Sequence, residues 1–563
     1  MRAMNHSVDP GDRQALWVVV AAFIALIVAK LLLVVPAAYG PTILSDELLY
    51  TEYARSLAAT GEYRGTGYPP LYPLLLSLCL RLGTGFYDAI IQMNVVLSSL
   101  VVFPTWLLAR LVLPRKEALL CVAVVAVLPY HLVFPRQIMS ENLYFPLLLF
   151  TLYLCLRVPR KGSELAWDAL LAVCIGLLFL TRYLTVALLP VFAIAWLVTN
   201  WQPGLKPWLR GLAIATIVLV VVAPWFEMGL SQGLRFKSLV GLGIASNPSP
   251  EQRTLLRLGI WTWLYLGYYI LLAAPFLHLI LAGLPGFARG VWRDGLFRYR
   301  IQLAILLVIA LLGLAVVRHS WNAAYNFPNF TKIMGRYLVY LPPLFAILAF
   351  AMLREARDRL SVWRVVSSQV AALVLVALAY ATVILGMVVR TGSRFVNDRG
   401  SIDAYVILAA GWAWPAIIVT MIVAGGVLMY RRPAWTAPAT AIGAMLAVVA
   451  GLPAHERKLR EYLPQTVPAA ELHRRDIHEE FVVYTRHLKP IERRDPGRAV
   501  AASFPFWRLE GKQAKNFPPT AALPGYRHFI VGPSADLADY EAIDTLKVFR
   551  ARGEEYRLIE VAR

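Results

Sequence analysis

Apolar stretches long enough to cross a bilayer alternate with short polar ones between residues 17 and 453, and beyond that point the alternation stops. A helical crossing needs about 20 mostly apolar residues. Thirteen such runs can be placed, at 15–36, 86–109, 117–135, 142–157, 165–181, 183–199, 209–227, 258–284, 301–317, 337–353, 364–389, 404–429 and 435–453. The fifth and sixth abut at Thr181-Arg182-Tyr183, so their junction is the least defined. Hydrophobicity repeats but no sequence motif does, which argues against a solenoid of short repeats. The pattern predicts an all-α polytopic membrane protein of about 13 transmembrane helices.

Two regions break the alternation. The segment 37–85 is polar enough to lie outside the bilayer, yet it holds two amphipathic stretches, 46–59 and 71–82, around a turn-rich 61–70. In the first, Leu48, Leu49, Tyr53 and Leu57 recur at helical spacing, with Glu52 and Arg55 on the other side. That is the pattern of helices lying in the membrane interface. The stretch 454–563 mixes charged residues with short β-like runs at 527–531 and 556–561, which predicts a small α/β domain. The expected division is therefore a membrane domain over 1–453 and a second domain over 454–563.

The chain is 59% hydrophobic and 16% charged, with a mean hydropathy of +0.60. A soluble domain is about 45–50% apolar and about 25% charged, so composition agrees with the periodicity. The net charge of +21 would suggest nucleic acid in a soluble protein. Here the basic residues gather in short loops between apolar runs, so no nucleic-acid partner is expected and anionic membrane lipids are. If the segment before the first run is cytoplasmic, every second loop is short and basic, carrying Arg110, Arg115 and Lys116, then Arg157, Arg160 and Lys161, and later Arg289, Arg293, Arg298 and Arg300. An odd count then puts 37–85, the loop at 140, the loop before the tenth run and the tail domain on the extracytoplasmic side. The four cysteines have no metal-site spacing and none follows residue 453, so no disulfide framework is expected. Lys30 within the first run, and no small-residue cleavage site after it, read as a retained span.

Three groups on that outer side can carry chemistry. The first is Ser45-Asp46-Glu47, directly after the first run. Carboxylates are also ordinary helix N-caps, so Asp46 and Glu47 read equally as the first turn of an amphipathic helix. The second is Ser140-Glu141-Asn142, in a very short loop after Pro135-Arg136-Gln137. An ionisable group so near a bilayer faces a partner or a water-filled cavity, and a cap paired with Arg136 would also satisfy it. The third is basic and aromatic: Arg182 at a span end, and Arg318, His319, Lys332 and Arg336 in the loop before the tenth run, interleaved with Trp321, Tyr325, Phe327 and Phe330. Guanidinium forks match phosphate geometry, whereas aromatics at an interface are first of all anchors. Carboxylates able to take a hydroxyl proton, beside cations able to hold a departing phosphate, suit a phosphate-bearing lipid substrate.

The order of these motifs resembles the GT-C glycosyltransferases, in particular the protein O-mannosyltransferases and the aminoarabinose transferase of lipid A. The residues that carry the resemblance are Ser45-Asp46-Glu47 with Tyr50, Tyr53 and Ala54; Gly61-Glu62-Tyr63; Tyr68-Pro69-Pro70-Leu71-Tyr72-Pro73; Ser140-Glu141; Leu180-Thr181-Arg182-Tyr183; and Gly335-Arg336-Tyr337-Leu338 before Pro342-Pro343. It implies a GT-C-like membrane domain and inverting transfer of a sugar from a polyprenyl-phosphate donor to a hydroxyl on a glycan, lipid or protein, at the outer face of a bacterial inner membrane. Asp46 would then be the general base, Glu47 its assistant, and Glu141 a second acid that orients the sugar. A divalent cation, Mg or Mn, shared between Asp46 and Glu141 is compatible with the resemblance. Arg182 and Arg336 would hold the donor phosphate, with His319 and Lys332 as weaker candidates, and Tyr68, Tyr325 and Tyr337 would line the substrate cavity. The pattern departs from the lipid A transferases at Gly67-Tyr68, where they carry a basic residue before Pro-Pro, and the large outer insertion of the O-mannosyltransferases is missing. A transporter or flippase of lipid-linked glycans is the alternative, but transporters place polar groups at mid-membrane and here the acids sit at span ends.

Overall fold

The computed structural model describes residues 10–38, 44–63, 68–82, 86–159, 161–241, 251, 253–322, 333–356, 360–389, 402–454 and 457, and in the tail 481–484, 511–514, 528–531, 543–551 and 554–561. Nineteen α-helices precede the tail among these residues. They are α1 Pro10–Leu33, α2 Leu44–Thr60, α3 Leu71–Leu80, α4 Phe86–Ser99, α5 Val102–Arg110, α6 Arg115–Ala126 and α7 Tyr130–Val133. Next come α8 Glu141–Leu156, α9 Glu164–Thr181, α10 Thr185–Asn200, α11 Lys206–Ser231, α12 Phe236–Leu239, α13 Leu255–Asp294 and α14 Arg300–Asn322. The last are α15 Leu341–Ala356, α16 Val362–Ala379, α17 Ile402–Ala409, α18 Ala413–Arg431 and α19 Pro433–Val449.

Among the described residues ten helices are long and apolar enough to cross a membrane, and the pair Arg115–Ala126 and Tyr130–Arg136, bent by 44°, would make an eleventh if it is one span. Each of the thirteen predicted runs falls on a helix or a helix pair. The lengths alone support fewer crossings, because α8 and α10 have 16 residues each against the roughly 20 that span a bilayer. Pro129 explains the bend in the third run: it stands in the break before Tyr130 and supplies no amide donor. The run expected at 404–429 is interrupted, since Gly411 at φ 55° separates α17 from α18. Apolar side chains such as Leu219 and Val220 on α11 are 65% and 67% exposed, a surface suited to lipid and not to water. α15 is the most enclosed of the spanning helices, buried along nearly its whole length, and the long α13 packs along it.

The stretch 37–85 contains α2 and α3, close to the amphipathic segments the pattern predicts, and the two pack together. They are held inward: Tyr50, Tyr53, Ala54, Tyr72 and Leu76 are buried. The described part of the tail forms a five-stranded mixed sheet, β1 Phe481–Tyr484, β2 Gly511–Ala514, β3 His528–Val531, β4 Ile543–Ala551 and β5 Glu554–Val561, in the order β2-β1-β3-β5-β4. β1 pairs in parallel with β2 and β3, while β5 runs antiparallel to β3 and β4. Any helical part of the expected α/β tail domain would lie outside the described residues.

Candidate active site

The turn 134–142 organises the site. It runs from the short 3-10 helix Phe134–Arg136 to the first residues of α8, and its hydrogen bonds reach three other helices. Asn142 Nδ2 donates to the carbonyls of Phe134, Gln137 and Met139 at 2.9, 3.2 and 3.0 Å, folding the turn onto the start of α8. Asn94 of α4 donates to the Gln137 carbonyl at 3.0 Å and accepts from Tyr72 Oη of α3 at 2.8 Å. The Ile138 amide donates to Glu47 Oε1 at 2.9 Å, and Arg136 Nη2 reaches the Leu33 carbonyl at 3.4 Å. The turn thus fixes the end of α1 and the start of α2, α4 and α8 relative to one another.

Two ion pairs stand on this frame. Asp46, in the first turn of α2, accepts from Arg336 Nη1 at 2.6 Å and from Tyr68 Oη at 2.9 Å. Arg336 comes from the short turn Gly335–Leu338 that precedes α15. Glu141, at the N-terminus of α8, lies 2.5 Å from Arg182 Nη1. Arg182 ends α9 in extended conformation, and the three-residue break before α10 turns its side chain to α8. Ser140 ties this pair to α2, since Arg182 Nη1 donates to its Oγ at 3.1 Å and Tyr50 Oη lies 2.9 Å from the same atom. Tyr337 touches both cations: its ring centroid is 5.2 Å from each guanidinium carbon.

The electrostatics follow from that packing. Burial alone would raise the Asp46 carboxyl, but the Arg336 guanidinium and the Tyr68 hydroxyl outweigh it and hold Asp46 below the usual carboxylate range. The same burial, with the Asp46 charge added, pushes the Tyr68 phenol well up, so it stays a hydrogen-bond donor. Asp46 is therefore ionised at neutral pH and can take up a proton once a partner is withdrawn.

Of the residues singled out from the sequence, Asp46, Glu141, Arg182, Arg336, Tyr68 and Tyr337 converge. His319 lies edge-on to Tyr337 with ring centroids 5.5 Å apart. Glu47 is fully buried, and its bond to Ile138 makes it part of the frame. Lys332 and Tyr325 lie outside the described residues. Arg136, the alternative partner for Glu141, reaches the Leu33 carbonyl, while Glu141 pairs with Arg182. Sequence reasoning overlooked Asn94, whose only signal was a carboxamide within an apolar run that also holds Gln92.

The carboxylates fit a divalent cation poorly. Asp46 is already engaged by Arg336 and Tyr68 and Glu141 by Arg182, and among the described residues no group of three His, Cys, Asp or Glu gathers. A hard cation takes six or more oxygens, and guanidiniums occupy that side of both acids.

Residues 68–226, under a third of the chain, match the family described as "Dolichyl-phosphate-mannose-protein mannosyltransferase". That segment contains Ser140, Glu141 and Arg182, while Asp46 and Arg336 lie outside it. No curated protein sequence matches the chain. Among solved structures, ArnT from Cupriavidus metallidurans bound to undecaprenyl phosphate superposes with a TM-score of 0.53 at 16% identity, covering 96% of this chain and 97% of that one. The same protein in the apo state gives a TM-score of 0.51 at 16% identity, covering 98% and 99%. Over 96% of its length this chain therefore shares its fold with the lipid-bound ArnT structure.

Proposed function

We propose that the protein is an inverting membrane glycosyltransferase that moves a sugar from a polyprenyl-phosphate donor to a hydroxyl on a glycan, lipid or protein acceptor, on the extracytoplasmic side. The observation that carries this reading is the convergence of Asp46 and Glu141 with Arg182 and Arg336 from four separate segments. A carboxylate accepts the acceptor's proton as its oxygen bonds to the anomeric carbon, and the bond from that carbon to the phosphate oxygen breaks. The polyprenyl phosphate leaves with the electron pair, and guanidiniums stabilise the charge that grows on it.

In this reading Asp46 is the base, Tyr68 aims it, and Glu141 orients the sugar while keeping Arg182 in place. Arg182 and Arg336 take the phosphate, and His319 supports that edge. Each arginine spends one Nη on its carboxylate, and a guanidinium has five donors, so both retain donors for an anion. The two guanidiniums supply the positive charge that a divalent cation would otherwise bring, so no step is assigned to a metal.

Thirteen crossings, counting α8 and α10 as short spans, would place Asp46, Glu141, Arg336 and the tail domain on one face. The alternating basic loops support that parity. The membrane is then the bacterial plasma membrane, with 1–453 as the catalytic domain and 454–563 as an outer α/β domain.

The test is chemistry against movement. Purified protein in nanodiscs, given a polyprenyl-phosphate sugar, is expected to release free polyprenyl phosphate, slowly with water and faster with an acceptor hydroxyl. In liposomes, movement of intact sugar lipid between leaflets with no release of polyprenyl phosphate would instead establish the flippase.

A further inference from the structure

Tyr337 packs against both of the arginines that the proposed function assigns to the donor phosphate. Its ring centroid is 5.2 Å from the Arg182 guanidinium carbon and 5.2 Å from that of Arg336. The two cations therefore lie no farther apart than twice that distance, although one ends α9 and the other precedes α15. Like charges so close repel, and two carboxylates relieve this, Asp46 paired with Arg336 and Glu141 with Arg182. The electron-rich face of the Tyr337 ring adds an attraction that reaches both guanidiniums.

The ring has a firm base. The Tyr337 amide closes a turn on the Met334 carbonyl at 3.2 Å. The Met334 amide donates to Tyr265 Oη of α13 at 2.9 Å, and that hydroxyl lies 2.6 Å from Ser320 Oγ of α14. His319, on the same helix, meets the Tyr337 ring edge-on. The phenol itself makes only a weak contact, 3.4 Å from Arg336 Nη2. The ring is fixed from behind and its face, more than its hydroxyl, meets the cations.

We propose that Tyr337 is a positioning residue whose ring carries both guanidiniums and sets their spacing, so that two separate ion pairs act as one clamp on a single phosphate group. Donor affinity then depends on the aromatic face at 337 and hardly on the hydroxyl. The proposal rests on the reading of Arg182 and Arg336 as phosphate ligands, and the experiment separates the two.

The probe is undecaprenyl phosphate titrated into the full chain in nanodiscs. Tyr337→Phe should bind within about twofold of the unaltered protein, and Tyr337→Leu about tenfold more weakly, a loss of about 1.4 kcal/mol. With a sugar-bearing donor, Tyr337→Leu should raise the donor KM more than it lowers kcat. Should Tyr337→Leu fail to fold, phenylalanines carrying one to three ring fluorines at 337 keep the shape while weakening the face, and affinity should fall stepwise with fluorine number. Equal losses for Phe and Leu would show that the hydroxyl does the work and overturn the proposal, as would a flat fluorine series. If Arg182→Gln and Arg336→Gln weaken binding while Tyr337→Leu does not, only the positioning role fails. If neither arginine matters, the assignment of the phosphate site fails with it.

Discussion

Asp46 and Arg336 stand 290 positions apart in the chain and meet at 2.6 Å, joining the first helix after the first span to the turn before α15. A general base contributes about 10²–10⁴-fold. Asp46→Asn keeps the size of the side chain and an oxygen for Tyr68 but leaves Arg336 without its carboxylate, so the protein should fold with a lower melting temperature and turnover should fall by about that factor. Size-exclusion behaviour and a melting curve alongside the rate measurement separate the two effects.

The Glu141–Arg182 pair is more deeply enclosed, with the carboxylate fully buried and the guanidinium 11% exposed. Removing one partner of such a pair leaves a buried charge and costs about 3–5 kcal/mol, whereas replacing both with apolar groups can be nearly neutral. Glu141→Leu alone should therefore lower the melting temperature more than Glu141→Leu with Arg182→Met. Both variants should be inactive, and equal melting temperatures for the two would contradict the pairing.

The pH response of Asp46 has a defined sign. Its carboxyl lies below its ordinary value of about 3.9, so its contribution to stability is fully present above that value and is lost as pH falls through the lower, folded value. The acid limb of the rate profile set by Asp46 in the free protein should accordingly lie below about pH 4. Arg336→Gln removes the chief opposing charge and leaves burial to act, so the limb should move to higher pH. A limb that stays put in the variant would show that Arg336 does not tune the base.

Asn142 holds the 134–142 turn through three carbonyls. Truncation to Ala leaves those acceptors unpaired at about 1–3 kcal/mol for each one that stays buried. A fall in melting temperature should accompany a loss of turnover, because Ile138 and Ser140 move with the turn. Asn142→Ala that melts and turns over like the unaltered protein would contradict the organising role.

Guanidiniums occupy the carboxylates that a cation would use. Exhaustive chelation should leave the transfer rate unchanged, and a rate restored only by Mg or Mn after chelation would contradict the assignment of that charge to Arg182 and Arg336.

How much of this was legible in the sequence depended on the range of the interaction. Spans show locally, as apolar runs, and all thirteen runs fall on helices. The break at Gly411 was hidden because its neighbours are as apolar as a continuous helix would be. At the proposed site, residue types and order singled out Asp46, Glu141, Arg182 and Arg336, which the fold brings together, since charges beside apolar spans are conspicuous. Pairing was not legible: Glu141 could have taken Arg136, five residues away, and takes Arg182 instead because α9 ends beside α8. Glu47 read as an assistant to Asp46. One position along α2 turns it by about 100°, into the 134–142 turn and the Ile138 amide.

The most direct measurement of the central claim is single-turnover release of polyprenyl phosphate from a polyprenyl-phosphate sugar by the purified protein and by Asp46→Asn, with lipid binding measured on the same samples. The account predicts that the variant binds undecaprenyl phosphate as the unaltered protein does and releases product at least about 100-fold more slowly. Unchanged release by a folded Asp46→Asn protein would contradict it.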